Sequence, residues 1–279
     1  IERFEAAIAE YVGARHAVAF STGTAALHAA AFAAGLGDGD EGLAPPITFA
    51  ASTNCVLYQG ARPRFIDIDP RTRNLDTSLV AEAVGTRTRA VVAVSFAGLP
   101  VDLEPLAPLR NRITVIEDAC HALGARRQGR PVGGPGGADL TVFSFHPVKA
   151  ITTGEGGIVT TEDDTFARRL RLFRTHGITK DGLPDDAGSW CYDMRALGFN
   201  YRITDFQCAL GLSQLKRLDD WIERRNTIAV AYRDRLGDEE RIELPPPAPP
   251  GWRHAYHLFP VVVAGGEAVR RRVFDALRS

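Results

Sequence analysis

The stretch LTVFSFHPVKAITTGEGGIVT, residues 140–160, predicts two buried strands with a lysine in the segment between them. The runs 140–143 and 157–160 are largely apolar, which is typical of strands inside a covered sheet. Lys149 lies between them and is followed by a glycine-rich turn. Partial burial disfavours the ammonium form of a lysine, so its amine can act as a nucleophile and form a Schiff base. An ordinary solvated lysine in a surface loop is the alternative for this residue taken alone.

The alternation of strands and helices continues outward on both sides of this stretch. Further strands are predicted at 17–20, 64–68, 90–95 and 113–117, and helices at 24–36, 77–84, 103–109 and 163–174. Strands that are apolar on both faces and alternate with helices favour a mostly parallel sheet with helices on both sides. The predicted fold class is therefore α/β.

A proline-rich stretch, 245–250, is the one clear break in composition. Because proline lacks a backbone N–H, this stretch favours an extended connector over a helix or a central strand. A long helix, 215–236, precedes it, and a strand is predicted at 257–263. We expect a large domain over 1–220 and, over 221–279, a linker helix and part of a smaller C-terminal α+β domain. The sequence begins without Met and ends inside a helical pattern, so we expect it to be a piece of a longer chain.

The composition argues against several classes of function. The 279 residues include 33 Lys and Arg against 34 Asp and Glu, a net charge of −1, which gives no electrostatic reason to expect nucleic acid or a membrane surface as a partner. The most apolar stretch, 25–34, is too short for a membrane span. The four cysteines show no C-x-x-C spacing, so we expect no zinc or other metal site, no disulfide scaffold and a cytoplasmic location.

Two further segments have polar groups where α/β folds bind ligands. Residues 21–25, Ser-Thr-Gly-Thr-Ala, join a predicted strand to a helix, where free N–H groups and the helix dipole can hold an anion. Asp118 follows a predicted strand at its carboxyl end, which suits a cation or a protonated ring nitrogen. A capped helix start and a capped turn are the alternatives for these two segments.

The polar segments together match what pyridoxal phosphate (PLP) requires of a protein. Ser144 precedes Lys149 by five residues and is positioned to contact the same anion as Thr24. An anion cradle, a carboxylate for the ring nitrogen and a Schiff-base lysine are the groups that hold this cofactor. The spacing makes a PLP site a plausible interpretation without making it the only one.

Five motifs, 21–27, 45–49, 117–124, 144–157 and 198–202, resemble those of the DegT/DnrJ/EryC1/StrS family of sugar aminotransferases. The resemblance extends from residue 4 to about residue 218 and more weakly to residue 263. It implies the PLP-dependent fold type I architecture, with a mostly parallel seven-stranded sheet between helices. Two of the motifs, 117–124 and 144–157, look most like the enzymes that aminate UDP-4-keto-6-deoxy-N-acetylaltrosamine on the way to pseudaminic acid.

The resemblance implies roles for residues around the cofactor ring. Lys149 matches the lysine that forms the Schiff base and then moves the proton, and Asp118 matches the carboxylate that pairs with the ring nitrogen. Phe49 lies in the segment whose aromatic residue stacks on the ring. His121 stands where many members have Gln, and it would contact the ring hydroxyl.

Other residues are matched to the phosphate, the partner subunit and the substrate. Thr24, Ala25 and Ser144 match phosphate contacts. Asn200 matches an asparagine that reaches the partner's cofactor across a dimer interface. The segment 254–257, His-Ala-Tyr-His, resembles a strand start at which the family commonly contacts its substrate.

The activity that the resemblance implies is transfer of an amino group from L-glutamate to a 4-keto-6-deoxy nucleotide sugar, a UDP-linked N-acetylhexosamine. A homodimer with a shared active site is implied as well. Some relatives have His in place of the lysine and are dehydratases, so the presence of Lys149 favours transamination. The alternatives are a GDP- or dTDP-linked 3- or 4-keto sugar as acceptor, a lyase, epimerase or dehydratase with the same cofactor, and a regulator that keeps the fold without turnover.

Overall fold

A seven-stranded sheet forms the centre of the chain in a computed structural model that describes residues 1–184 and 188–279. Its strands are β1 His16–Phe20, β2 Glu41–Ala44, β3 Arg62–Phe65, β4 Thr88–Val94, β5 Thr114–Asp118, β6 Leu140–Ser144 and β7 Gly157–Thr161. Their order across the sheet is β1-β7-β6-β5-β4-β2-β3. Of these seven strands, only β7 runs antiparallel to its neighbours, β1 and β6. The expected mostly parallel sheet is therefore confirmed.

Helices alternate with the strands of the sheet, and the last four follow its final strand in the chain. They are α1 Glu2–Val12, α2 Gly23–Ala33, α3 Ala51–Leu57, α4 Val80–Ala83, α5 Asp164–Arg174, α6 Asp205–Leu215, α7 Leu218–Leu236 and α8 Gly266–Arg278. Short 3-10 helices span Thr77–Leu79, Phe96–Gly98 and Glu104–Leu109. Within the described residues, every helix falls short of the length and apolarity that a membrane crossing requires.

Alternate residues of the central strands pack on opposite sides of the sheet. On β6, Val142 belongs to the core cluster that includes α2 and α5, whereas its neighbour Phe143 belongs to the cluster that includes α1. Burial of side chains this size contributes about 1.5–3 kcal/mol each relative to exposure. Helices thus cover both faces of the sheet, as the apolar pattern of the strands predicts.

Most predicted elements differ from the structure by one to three residues at an end, and three predictions differ in position, extent or type for a physical reason. The strand predicted at 64–68 lies at 62–65, where the chain pairs with β2 before an Asp-rich turn. Most of the strand predicted at 257–263 is wrong, since only 262–263 pair, with 242–243. Pro260 has no N–H to donate to a ladder, and Tyr256 has a left-handed φ of 43°. The predicted helix 103–109 is a 3-10 helix over 104–109.

Strand β2 has no clear strand pattern in the sequence. Its four residues contain a glycine, and only Leu43 and Ala44 are apolar, so the periodicity there is weak. Gly42 lets α3 lie directly on the strand, because a Cβ at this position would be 2.6 Å from Cγ2 of Val56. The predicted domain boundary near residue 220 falls in the first turn of α7 and stays a prediction.

His28 is a buried histidine of α2 within an aromatic cluster. It is 5% exposed, and its Nδ1 lies 3.1 Å from the hydroxyl of Tyr201. The rings of Tyr58, Phe173 and Phe199 surround it, at centroid distances of 5.0, 4.9 and 5.1 Å. Burial lowers the pKa of His28 to about 4. The folded protein therefore holds this imidazole neutral at neutral pH.

Acid is expected to destabilise the fold through His28. The unfolded chain protonates this residue below a pKa of about 6.5, whereas the folded chain resists protonation down to a pKa of about 4. Stability is therefore full above pH 6.5 and falls as the pH drops toward 4, by about 2 kcal/mol at pH 5 from this residue. Denaturant unfolding of the wild type and of His28→Gln at pH 8 and pH 5 measures the loss.

The His28→Gln comparison separates titration from packing. At pH 8, the difference in unfolding free energy between the wild type and His28→Gln gives the cost of removing the imidazole. Between pH 8 and pH 5, the unfolding free energy of His28→Gln should fall by less than that of the wild type. An equal drop in both proteins would contradict the assignment of the acid sensitivity to His28.

Candidate active site

The carboxyl ends of β4, β5 and β6 and the start of α2 surround a cavity of about 610 Å³. In open α/β sheets, ligands bind at this edge of the strands. The lining residues are Thr22, Gly23, Thr24, Leu27, Thr48, Phe49, Ala51, Val94, Phe96, Asp118, Cys120, His121, Ser144, His146, Val148, Lys149 and Glu155. The cavity thus brings together residues from five separate segments of the sequence.

One end of the cavity is built to hold an anion. Thr22 caps α2, and its Oγ1 accepts the backbone N–H of Ala25 at 3.0 Å. The first N–H groups of a helix have no partner inside the helix. Gly23 and Thr24 are the first two residues of α2, and both line the cavity. Ser144, the last residue of β6, packs against Gly23 and adds a hydroxyl. The helix dipole and these donors suit a phosphate group.

Gly23→Ala is expected to weaken binding of a phosphate in this cradle. A Cβ at Gly23 would lie 2.8 Å from Cβ and 2.9 Å from Oγ of Ser144, so the start of α2 and the end of β6 must separate. Overpacking of this kind costs about 1–3 kcal/mol, which corresponds to roughly a tenfold to hundredfold loss of affinity. A titration with PLP, followed by absorbance, measures the dissociation constant.

Gly85→Ala is the matched control for this substitution. A Cβ at Gly85 meets no atom within 4 Å, so the same change of residue type should leave PLP affinity unaltered. A folded Gly23→Ala protein with wild-type affinity for PLP would show that the phosphate binds elsewhere.

Asp118 ends β5 and is 5% exposed at the floor of the cavity. Its Oδ1 accepts the backbone N–H of Cys120 at 3.1 Å, and its Oδ2 accepts the hydroxyl of Ser52 at 2.5 Å. A carboxylate offers about four lone-pair sites, so these two donors leave acceptor capacity free. The side chain is therefore suited to accept a hydrogen bond from a protonated ring nitrogen.

Lys149 lies in the loop between β6 and β7 with its side chain half-buried at the cavity. The loop is tied to the sheet: Phe145 donates its N–H to the carbonyl of Gly156 at 2.8 Å, and Thr153 donates its N–H to the carbonyl of Phe145 at 3.0 Å. The N–H of Lys149 itself donates to the carbonyl of His146 at 2.9 Å. These bonds fix where the lysine enters the cavity.

Two neutral imidazoles stand beside the lysine. His121 lines the cavity, and His257 packs on it with a centroid distance of 4.3 Å. Burial, and then the Lys149 ammonium, lower the pKa of His121 to about 3 and that of His257 to about 4. Among the residues described, neither buried Nδ1 has a hydrogen-bond partner. A buried polar atom without a partner in the protein is available to a ligand.

The segment 254–257 supports this wall of the cavity. Ala255 donates its N–H to the carbonyl of Gly98 at 2.9 Å, and Leu258 donates to Ala97 at 3.1 Å. Gly98 has a φ of 100°, and a Cβ there would be 2.8 Å from the carbonyl oxygen of His121. The segment is not a strand, but it packs His257 against a residue of the cavity.

The structure brings most of the predicted site residues into one cavity. Those that line it are Thr24, Phe49, Asp118, His121, Ser144 and Lys149. Phe49 remains 75% exposed at the edge of the cavity. Ala25 is buried one residue further into α2, and its N–H is already donated to Thr22. Asn200 is exposed and does not contribute to this lining.

Sequence reasoning missed Ser52, Phe96, His146 and Glu155. Phe96 follows β4 at its carboxyl end, and the rule that singled out Asp118 applies to it equally. His146 and Glu155 flank the lysine in the motif already quoted, and His146 Nε2 lies 3.7 Å from Glu155 Oε1. Ser52 is a buried serine of α3, and no local pattern points to it.

The residues present fit PLP. At the phosphate cradle, Gly23 leaves a space that a Cβ would fill. The Asp118 carboxylate keeps acceptor capacity free, and the Lys149 side chain lines the same cavity. A lysine with a carboxylate partner for the ring nitrogen is the donor set of PLP enzymes. The fold and this site together define the class of PLP-dependent fold type I proteins.

The chain belongs to the DegT/DnrJ/EryC1/StrS aminotransferase family, whose sequence profile matches residues 1–279. It is 40% identical over 284 residues to the spore coat polysaccharide biosynthesis protein SpsC of Bacillus subtilis, covering 100% of this chain and 72% of SpsC. It is 39% identical over 274 residues to GDP-perosamine synthase of Caulobacter vibrioides, covering 97% of this chain and 71% of that enzyme.

Solved structures have the same fold. PseC of Helicobacter pylori, an aminotransferase involved in the biosynthesis of pseudaminic acid, superposes with a TM-score of 0.89 at 30% identity over 99% of this chain and 73% of PseC. Spr1654 of Streptococcus pneumoniae in its PMP-form superposes with a TM-score of 0.87 at 29% identity over 97% of this chain and 73% of Spr1654. The family and such neighbours indicate PLP as the cofactor, as the sequence predicted.

Proposed function

We propose that the protein transfers an amino group from L-glutamate to a 4-keto-6-deoxy nucleotide sugar. The observation that carries this proposal is the meeting of Lys149, Asp118 and the anion cradle of α2 in one cavity of about 610 Å³. Spare volume beside a cofactor is what an enzyme that admits a donor and then a sugar requires. A regulator without turnover would have no need to keep these groups together.

The roles of the residues follow from their positions. When bound, PLP supplies an aldehyde that exchanges for the substrate's amino group and a ring that withdraws electrons from the substrate's α-carbon. The Lys149 amine would take the proton from the α-carbon of L-glutamate and would return it at the aldehyde-derived carbon. Asp118 keeps the ring nitrogen protonated, and the residues at the start of α2 with Ser144 hold the phosphate. Water from solvent would then release L-glutamate as 2-oxoglutarate, and the keto sugar would take up the amino group and release water by the reverse sequence.

A UDP-linked N-acetylhexosamine is the acceptor that we propose first. The motifs 117–124 and 144–157 and the similarity to PseC support it. The similarity to GDP-perosamine synthase supports a GDP-linked sugar as the second candidate. A cytoplasmic location completes the proposal, since all four cysteines are free thiols, as is typical of a reducing compartment.

A two-stage assay tests the function. The protein is loaded with PLP and given L-glutamate alone, and one equivalent of 2-oxoglutarate per bound PLP is expected. The aminated protein is then separated and given UDP-, GDP- or dTDP-linked 4-keto-6-deoxy sugars, and the amino sugar is detected by mass spectrometry. Amination of a GDP-linked sugar in preference to the UDP-linked ones would favour the second candidate. Failure to convert L-glutamate would contradict the proposed reaction.

We also propose a homodimer in which Asn200 reaches the partner's cofactor. Asn200 is exposed, and exposed apolar side chains near it in sequence, Trp190, Leu197 and Phe206, support an interface on this side. Asn200→Ala should lower PLP retention in the dimer and leave it unchanged in a protein kept monomeric by an interface substitution. Equal loss of PLP from both forms would argue against a contact across the interface.

A further inference from the structure

A chain of two hydroxyl groups ends on the carboxylate of Asp118. The Ser52 hydroxyl donates to Asp118 Oδ2 at 2.5 Å, and Thr48 Oγ1 lies 2.6 Å from Ser52 Oγ. An ionised carboxylate only accepts hydrogen bonds, so the single proton of the Ser52 hydroxyl is committed to Asp118. Thr48 must then donate to Ser52. The direction of the chain is therefore fixed, from Thr48 through Ser52 to Asp118.

The position of Ser52 limits what it can do. Its side chain is fully buried and lies outside the cavity lining, whereas Asp118 and Thr48 line the cavity. Ser52 therefore cannot take part in the reaction by touching the substrate, and it acts through the carboxylate that it binds. It is a positioning residue in this sense.

The packing of α3 holds Ser52 in place. Ser52 is in the first turn of α3, and its N–H donates to the carbonyl of Phe49 at 3.1 Å. One turn further, Val56 packs directly on Gly42 of β2, where no side chain intervenes. The helix is thus seated on the sheet, and the serine hydroxyl is presented to Asp118 by buried structure.

Hydrogen bonds to an ionised carboxylate stabilise its charged form and lower its affinity for a proton. Because the charged carboxylate is stabilised, a proton shared between Asp118 and a ring nitrogen stays on the nitrogen. The protonated ring is the form that withdraws electrons, so the state of this one proton governs the chemistry of the bound cofactor. In a buried site such a bond has a larger effect than it would in water, because the dielectric constant is low.

We propose that Ser52, supported by Thr48, is a positioning residue that keeps the proton between Asp118 and the cofactor on the ring nitrogen. The proposal rests on the PLP site described above and deepens it. Without the Ser52 hydroxyl, Asp118 loses one of the two hydrogen bonds that orient its carboxylate and stabilise its charge. The proton then moves toward the carboxylate, and the ring withdraws electrons less strongly.

The nitrogen-15 chemical shift of the ring nitrogen in bound, labelled PLP tests the proposal. The wild type should give the signal of a protonated ring, and Ser52→Ala should move it toward the unprotonated value. The kcat for glutamate should fall about tenfold to hundredfold, as expected for loss of a hydrogen bond to a charged group, with little change in KM. Thr53→Ala is the matched control, since the Thr53 hydroxyl of the same helix donates to the carbonyl of Ala50 and not to Asp118.

A second pair of variants decides the case if Ser52→Ala does not fold. Thr48→Val removes the first donor at constant shape and should shift the nitrogen signal by a smaller amount in the same direction. Thr48→Ser keeps the hydroxyl and should restore the wild-type signal. An unchanged signal in folded, PLP-loaded Ser52→Ala or, where that protein does not fold, in Thr48→Val overturns the proposal while leaving the PLP site intact. A wild-type protein that binds PLP with an unprotonated ring overturns the proposal alone, and a wild-type protein that binds no PLP overturns the PLP site as well.

Discussion

Lys149→Ala is expected to abolish amino transfer while the protein stays folded. The lysine is the one that enters the cavity, and its amine is both the nucleophile and the proton carrier of the proposed reaction. Loss of these roles should lower the single-turnover rate by at least about a thousandfold. Formation of 2-oxoglutarate from L-glutamate measures the rate. The visible absorption band of lysine-linked PLP should be missing as well.

Lys216→Ala is the control for this substitution, because Lys216 is exposed at the end of α6. It should retain the absorption band and the wild-type rate. The thermal midpoint of Lys149→Ala should stay close to that of the wild type, since the lysine side chain belongs to the cavity and not to a core cluster. A Lys149→Ala protein that still converts glutamate would overturn the assignment of this lysine.

Asp118→Asn is expected to have the second largest effect. Asn keeps the shape of the side chain but removes the charge that holds a proton on the ring nitrogen. Removal of one member of a buried charged pair costs about 3–5 kcal/mol, which corresponds to a rate loss of roughly a hundredfold to several thousandfold. PLP should still bind, because the phosphate cradle and Lys149 are untouched. Single-turnover kinetics with L-glutamate and a PLP titration measure the two effects separately.

Asp38→Asn serves as the control, since Asp38 is exposed in a turn before β2. It should behave as the wild type in both measurements. An Asp118→Asn protein that turns over at the wild-type rate would show that the ring nitrogen has another partner. A variant that binds no PLP would show that Asp118 contributes to affinity more than to rate.

The proposed catalytic residues are predictable because they follow strands. Asp118 and Lys149 each come after a buried apolar run, and the carboxyl ends of parallel strands meet at one edge of the sheet. The same local pattern predicted the anion cradle at the start of α2. These features depend on the order of residues within a short segment, so one sequence is enough to detect them.

The supporting residues depend on contacts between distant segments. Ser52 is 66 positions from Asp118 in sequence, and it reaches the carboxylate only because α3 packs on a strand that local periodicity did not reveal. His257 is placed by contacts with Gly98 rather than by a strand of its own. Tertiary packing determines where Ser52 and His257 lie, and the spacing of residues in the sequence does not predict it.

The wall formed by His121 and His257 has a consequence for the order in which the site is completed during synthesis. Every residue lining the cavity lies between Thr22 and Glu155, so the ribosome releases the entire lining well before the segment 254–257. A nascent chain can therefore form the cavity before His257 is available to pack on His121. The final ordering of that wall waits for the late segment, because His257 packs on His121.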